Sequence, residues 1–72
     1  MYLYGKNSIQ ERLKADPGSI RQVFIQDNFK APHITDLIKS RGIPYKIVSE
    51  ENLLRIKNAD RLQGIVAEVN QY

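Results

Sequence analysis

The sequence predicts a small α/β domain with a partly parallel sheet and helices on its faces. The chain has 72 residues, which makes one domain the ceiling. Short extended segments alternate with helical segments along its length, as in sheets covered by helices. The last extended segment has Ile65, Val66 and Ala67 in succession, which suits a central strand.

Four segments have the composition of strands. Residues 22–26 are rich in β-branched and aromatic side chains, and this apolar run indicates a strand with both faces covered. The third segment follows Ile43-Pro44, and the fourth follows a glycine. The predicted strands are Tyr2–Tyr4, residues 22–26, Tyr45–Val48 and Ile65–Val69.

The first helix is predicted from its capping pattern. Asn7 is a favourable N-cap, and Gln10 stands three residues later, as in a capping box. Ile9 and Leu13 fall on one helical face. The following Asp-Pro-Gly sequence ends the helix, because proline cannot continue it and glycine turns freely.

Two further helices follow. Pro32 suits a first helical turn, and Arg41-Gly42 suits the end of that helix. Ser49 is the predicted N-cap of the third helix, and the two glutamates after it complement the helix dipole.

The residue inventory excludes several kinds of catalytic and metal site. The sequence has no cysteine, so disulfides, thiolate ligands and a cysteine nucleophile are absent. No phosphate-binding P-loop, dinucleotide fingerprint or nucleophile elbow is present. The one histidine, His33, would need a carboxylate such as Asp36 to act as a catalytic base. A solvated histidine in a first helical turn is the more common case.

Charge and hydropathy favour a mildly basic cytoplasmic protein. No apolar run approaches the roughly 20 residues of a membrane span. The N-terminus lacks the basic start and apolar stretch of a signal peptide. The net charge is +3 and the pI is about 9.4, which permits binding to polyanions without requiring it.

One candidate anion-binding segment is Gly5-Lys6-Asn7, between a predicted strand and a helix N-terminus. Free backbone N–H groups and the helix dipole favour an anion there, and lysine adds a positive charge. Asn7 could alternatively contact a base edge or a ribose. A tight turn with a good cap explains the same residues.

The second candidate is Arg61-Leu62-Gln63-Gly64, a loop that enters the last strand. It combines a cation, an amide that both donates and accepts, and a glycine that leaves the backbone accessible. A loop glycine with solvated neighbours is the alternative. Phe29, in another loop, is the best placed aromatic residue for stacking on an unpaired base.

Three motifs together resemble a known family. Residues 5–13, GKNSIQERL, resemble the opening of the N-terminal substrate-binding domain of SpoU-type (TrmH-family) RNA 2′-O-ribose methyltransferases. RGIPY, from Arg41, and QGIVA, from Gln63, resemble two further motifs of that family in the same order. The resemblance covers nearly the whole chain. Leu62 stands where family members usually have histidine.

The resemblance implies a three-layer α/β/α fold like that of ribosomal protein L30e. With the alternating segments, it leads us to expect a mixed, mostly parallel four-stranded sheet with helices on both faces. We expect residues 1–72 to form a single RNA substrate-binding domain without catalytic residues or a metal site. The residues expected to contact RNA are Gly5, Lys6, Asn7, Lys30, Arg41, Arg61, Gln63 and Gly64.

The resemblance also implies a parent enzyme that methylates ribosomal or transfer RNA. S-adenosylmethionine is the implied methyl donor, held by a knotted C-terminal catalytic domain rather than by this one. The implied partners are RNA and that catalytic domain, through which the parent homodimerises, so the isolated domain is expected to be monomeric. The alternatives are a stand-alone L30e-type RNA-binding protein and a protein-interaction or dimerisation module.

Overall fold

All the predicted helices and strands are present in a computed structural model, which describes residues 1–58 and 62–70. A short 3-10 turn, Pro17–Ser19, separates the first helix from the second strand. The elements are β1 Tyr2–Tyr4, α1 Lys6–Ala15, β2 Ile20–Gln26, α2 Pro32–Ser40, β3 Tyr45–Val48, α3 Glu50–Ile56 and β4 Ile65–Val69. The chain is therefore a small α/β structure, as the sequence predicts.

The four strands form one mixed sheet in the order β1-β4-β2-β3. The predicted central position of β4 is confirmed, since it lies between β1 and β2 and runs antiparallel to both. Only β2 and β3 are parallel, so the prediction of a mostly parallel sheet is wrong. The physical reason is that β4 inserts between β1 and β2, so the β1-α1-β2 unit does not place its own strands side by side.

Two buried apolar clusters hold the helices to the sheet. The larger one unites α1 and α2 with inward-facing residues of the two central strands. Its members are Ile9, Leu13, Ile20, Val23, Ile25, Ala31, Ile34, Ile38, Ile43, Ile65, Ala67 and Val69. The smaller one consists of Leu53, Leu62 and Val66, with Phe24, Val48 and Ile56 packed against it. Because side chains alternate along a strand, Val66 and Phe24 lie on the sheet face opposite to Ile65, Ala67, Val23 and Ile25.

The start of α1 differs from the prediction. The N-cap is Gly5, not Asn7, and no side chain caps the helix. Gly5 has φ 86° and ψ 146°, a region occupied essentially by glycine. Asn7 lies inside the first turn and is exposed. The predicted cap of α3 is confirmed, because the Ser49 side chain accepts a hydrogen bond from the Asn52 N–H at 3.2 Å.

Within residues 1–58 and 62–70, no helix is long and apolar enough to cross a bilayer. The same residues contain no cluster of three or more His, Asp or Glu side chains placed to hold a metal ion. His33 is exposed in the first turn of α2.

Candidate nucleic-acid interface

The two predicted anion-binding segments meet at one end of the strands, where β1 and β2 end and β4 begins. β1 ends at Tyr4 beside the start of the antiparallel β4, and this pairing brings Lys6 and Gln63 together. The backbone N–H of Lys6 donates a hydrogen bond to Oε1 of Gln63 at 2.7 Å. The first amide of α1 is thus taken up by Gln63 and is not free to bind an anion.

The turn before β4 gives the Gln63 side chain its direction. Gln63 and Gly64 both have positive φ, 57° and 80°, and the N–H of Ile65 donates to the Leu62 carbonyl at 3.2 Å. Successive positive φ values are the mark of a type I′ turn. A left-handed backbone costs a non-glycine residue about 1–2 kcal/mol. Such strain at a surface turn is typical of a position with a function.

Gly64 is required by its surroundings as well as by its φ. A Cβ at this position would lie 3.2 Å from Cδ1 of Phe29 and 3.6 Å from Cβ of Gln26. The Gly64 carbonyl accepts the N–H of Gln26 at 2.8 Å. The turn therefore lies directly against the end of β2 and the loop that follows it.

Phe29 joins this loop to the interface. Its ring is half-buried against the larger core cluster, and the Lys6 Nζ lies 5.9 Å from the ring centroid. An exposed cation–π pair of this kind contributes about 0.5–1 kcal/mol. The ring is thus engaged by both Gly64 and Lys6, and a base could stack on it only if Lys6 moved aside. Stacking at Phe29 stays a prediction.

These segments surround an open depression of about 350 Å³. Among the described residues, its lining combines two lysines, three side-chain amides, an aromatic ring and half-buried glycine backbone, with no carboxylate. The lining residues are Lys6, Gln26, Asn28, Phe29, Lys30, Gln63 and Gly64. Lysines attract phosphates, while amides both donate to and accept from base edges and ribose hydroxyls.

A second, smaller depression of about 140 Å³ shares Gln26, Gln63 and Gly64 with the first. On its other side lie Glu50 and leucines of α3. The carboxylate of Glu50 therefore bounds the positively charged region, and a polyanion would be directed towards Lys6 and Lys30.

The remaining predicted contact residues are placed differently. Gly5 adjoins the depression through Lys6, whereas Asn7 is exposed and does not line it. Arg41 is the C-cap of α2, at the end of that helix opposite to the loop that carries Lys30. Because α2 leads from the end of β2 to the start of the parallel β3, and a nine-residue helix spans roughly 13 Å, Arg41 lies towards the opposite end of these strands. Arg61 lies outside the described residues.

Two of the lining residues, Gln26 and Asn28, are not among the predicted contacts. Gln26 is the last residue of β2, and Asn28 lies in the loop after it. The sequence could have indicated them only through their position at the end of a strand. Which strand ends lie side by side depends on the order of the strands, and the sequence pattern did not predict that order.

The fold and the depression define the class of the protein: a small α/β domain with a basic, amide-rich edge suited to a polyanion. A sequence model of RNA 2′-O ribose methyltransferase substrate-binding domains matches residues 2–72. Because this match covers nearly the whole chain, the protein belongs to that family. A search of curated protein sequences gave no significant match.

Leu62, where the sequence resemblance leads us to expect a histidine, is part of the core. It is 6% exposed and packs with Leu53 and Val66. Its side chain therefore packs beneath the turn in the core; it borders the smaller depression and does not line the larger one.

Proposed function

We propose that this domain binds structured ribosomal or transfer RNA at the depression and presents it to the catalytic domain of a 2′-O-ribose methyltransferase. The observation that carries the proposal is the meeting of Lys6, Lys30 and the Gln63-Gly64 turn around one surface whose described lining has no carboxylate. Family membership supports RNA as the partner. In this proposal the lysines neutralise phosphates, and the amides of Gln26 and Gln63 contact unpaired nucleotides.

The methyl donor does not fit this surface. S-adenosylmethionine carries a positively charged sulfonium, and the described residues that line the depression include two lysines and no carboxylate. We therefore propose that a separate catalytic domain binds the donor and transfers its methyl group to the ribose 2′-oxygen, which loses its proton. The residues of this domain position the RNA and take no part in bond making.

The fold also supports a finer structural proposal. The larger cluster contains α1 and α2, and the smaller cluster contains Leu53 of α3 on the opposite face of the sheet. We propose that this arrangement is the three-layer L30e-like fold. A monomeric domain within a parent that homodimerises through its catalytic part is a further proposal, which sedimentation of both forms would test.

NMR titration of the ¹⁵N-labelled chain with a structured ribosomal RNA fragment tests the RNA-binding proposal. The expected result is a cluster of salt-sensitive shifts at the residues that line the depression. The affinity for RNA falls as salt rises, so a plot of log K against log salt has a negative slope. Replacing Lys6 and Lys30 together by alanine should reduce the magnitude of this slope by about 1.4–1.8, the value for two lost phosphate contacts.

Two matched controls make the titration selective. Lys14→Ala removes an exposed lysine of α1 outside the depression. Arg41→Ala removes a cation at the C-terminal end of α2, away from the depression. Neither change should alter the slope appreciably. Shifts spread evenly over the surface, or an unchanged slope in the double variant, would refute RNA binding at this depression.

A further inference from the structure

The edge strand β3 has backbone groups without a neighbouring strand in the described sheet, where β3 pairs only with β2. The N–H groups of Val23 and Asp27 donate to the carbonyls of Pro44 and Val48, at 2.9 and 3.0 Å. In a parallel ladder the groups of alternate residues face the same neighbour. The N–H and C=O groups of Tyr45 and Ile47 therefore point away from β2, towards the open edge.

The same two residues expose apolar side chains. Ile47 is 60% exposed and Tyr45 is 41% exposed. Together with α2 they border a groove of about 220 Å³. Its lining consists of Ile25, Thr35, Ile38, Lys39, Tyr45 and Ile47. Open backbone groups beside an apolar groove are the two features that strand addition requires, main-chain hydrogen bonds and a pocket for alternate side chains.

The charges at this edge are positive. Lys39 lies in the groove lining, which includes no carboxylate. Lys46 is exposed and, by alternation, projects from the sheet face opposite to Tyr45 and Ile47. A strand added here would therefore meet apolar side chains on one face and a lysine on the other.

We propose that the β3 edge binds an extended segment of a partner protein as a fifth strand. The segment presents aliphatic side chains to the groove and, on its other face, carboxylates to Lys46. This inference is independent of the RNA proposal, because it uses a different edge of the sheet and none of the residues that line the depression.

The observations favour a partner segment over a second copy of the chain. Antiparallel self-pairing centred on Lys46 would place two lysines directly opposite each other, which is destabilising. A strand of four residues is also short for an interface between two folded copies, since stable interfaces bury roughly 1,200 Å² or more. RNA is a poor match for a groove whose lining is mostly aliphatic and aromatic.

Titration of the ¹⁵N-labelled chain with a capped peptide of alternating valine and glutamate tests the proposal. The expected shifts are at Tyr45, Ile47 and Thr35, with slowed amide exchange of Tyr45 and Ile47 as their N–H groups gain partners. Lys46→Glu should weaken binding by about two- to fivefold, the effect of a cross-strand charge pair. A matched peptide of alternating valine and lysine should bind the original chain more weakly than the valine–glutamate peptide does. The same lysine peptide should bind the Lys46→Glu variant more tightly than it binds the original chain.

Two substitutions distinguish binding in the groove from nonspecific hydrophobic binding elsewhere on the surface. Ile47→Thr keeps a β-branched residue but removes apolar contact, and should weaken the valine–glutamate peptide about threefold or more. Leu54→Ala, at a similarly exposed residue of α3, should leave binding unchanged.

Two results of the peptide titration would overturn the proposal: the absence of shifts at millimolar peptide, and equal binding of the glutamate and lysine peptides. Two results without peptide would also overturn it: shifts at Tyr45 and Ile47 that depend on protein concentration alone, and shifts at these residues when RNA is added. The third result would indicate a second copy of the chain, and the fourth would indicate nucleic acid. Loss of RNA binding in the Lys6/Lys30 variant would leave peptide binding intact, so the two proposals can fail separately.

Discussion

A series of three glycine-to-alanine substitutions would measure how tightly the Gln63-Gly64 turn is held. Gly64 combines φ +80° with a Cβ position 3.2 Å from the Phe29 ring. Gly42 has φ +67° but no atom within 4 Å of its Cβ position. Gly18 has neither constraint, since its Cβ position is open and its φ is not positive. The series therefore separates backbone strain from crowding.

The expected losses follow from these geometries. Gly42→Ala should lower the free energy of unfolding by about 1 kcal/mol, which is the left-handed strain less the entropy removed from the unfolded chain. Gly64→Ala adds crowding against Phe29, for a total of about 2–3 kcal/mol. Gly18→Ala should be neutral or stabilising by up to about 1 kcal/mol.

Thermal and urea unfolding would measure the three values. A domain of 72 residues has a free energy of unfolding of about 4–11 kcal/mol, so all three variants should fold. The melting temperature of Gly64→Ala should fall by about 10–20 °C. Equal losses for Gly64→Ala and Gly42→Ala would show that Phe29 does not constrain the turn, and a Gly64→Ala variant as stable as Gly18→Ala would refute the strain itself.

Two further substitutions test the neighbours of this glycine. Leu62→His should lower the free energy of unfolding by about 2–4 kcal/mol in urea titrations, because a polar imidazole replaces an aliphatic side chain in the cluster with Leu53 and Val66. The variant should not raise RNA affinity, and a gain in affinity would contradict the buried position. Gln63→Gly should change stability by less than about 1 kcal/mol, since relief of left-handed strain offsets the lost hydrogen bond to Lys6. RNA affinity measured by fluorescence anisotropy should nevertheless fall, and unchanged affinity would exclude the Gln63 amide from recognition.

Local signals predicted the elements well. The Ser49 cap, the proline at the start of α2 and the apolar run of β4 each depend on a few neighbouring residues, and the structure confirms them. The cap of α1 was wrong because Asn7 has a favourable side chain, whereas the helix actually begins after Gly5, whose backbone conformation few other residues can adopt. A pattern of side chains does not report such a φ value.

Strand pairing was the part that the sequence could not supply. Alternating strands and helices favour parallel neighbours, and this holds for β2 and β3. The position of β4 between β1 and β2 depends on contacts between residues far apart in the sequence. Val66 packs on one face of the sheet and Ala67 on the other. The absence of Gln26 and Asn28 from the predicted contacts has the same origin, since they reach the interface only through the order of the strands.

The position of Leu62 connects the family pattern to the chemistry of the depression. In this chain the residue before Gln63 is an apolar anchor, buried at 6% exposure. With that anchor in place, the strained Gln63 and the crowded Gly64 are held over Phe29, and the Lys6 N–H is drawn to Gln63. A histidine at the same place would put a polar ring into this apolar cluster, and the turn would lose part of its support. The proposed recognition therefore rests on the lysines and amides around the turn, which the Gln63→Gly and Lys6/Lys30 variants test directly.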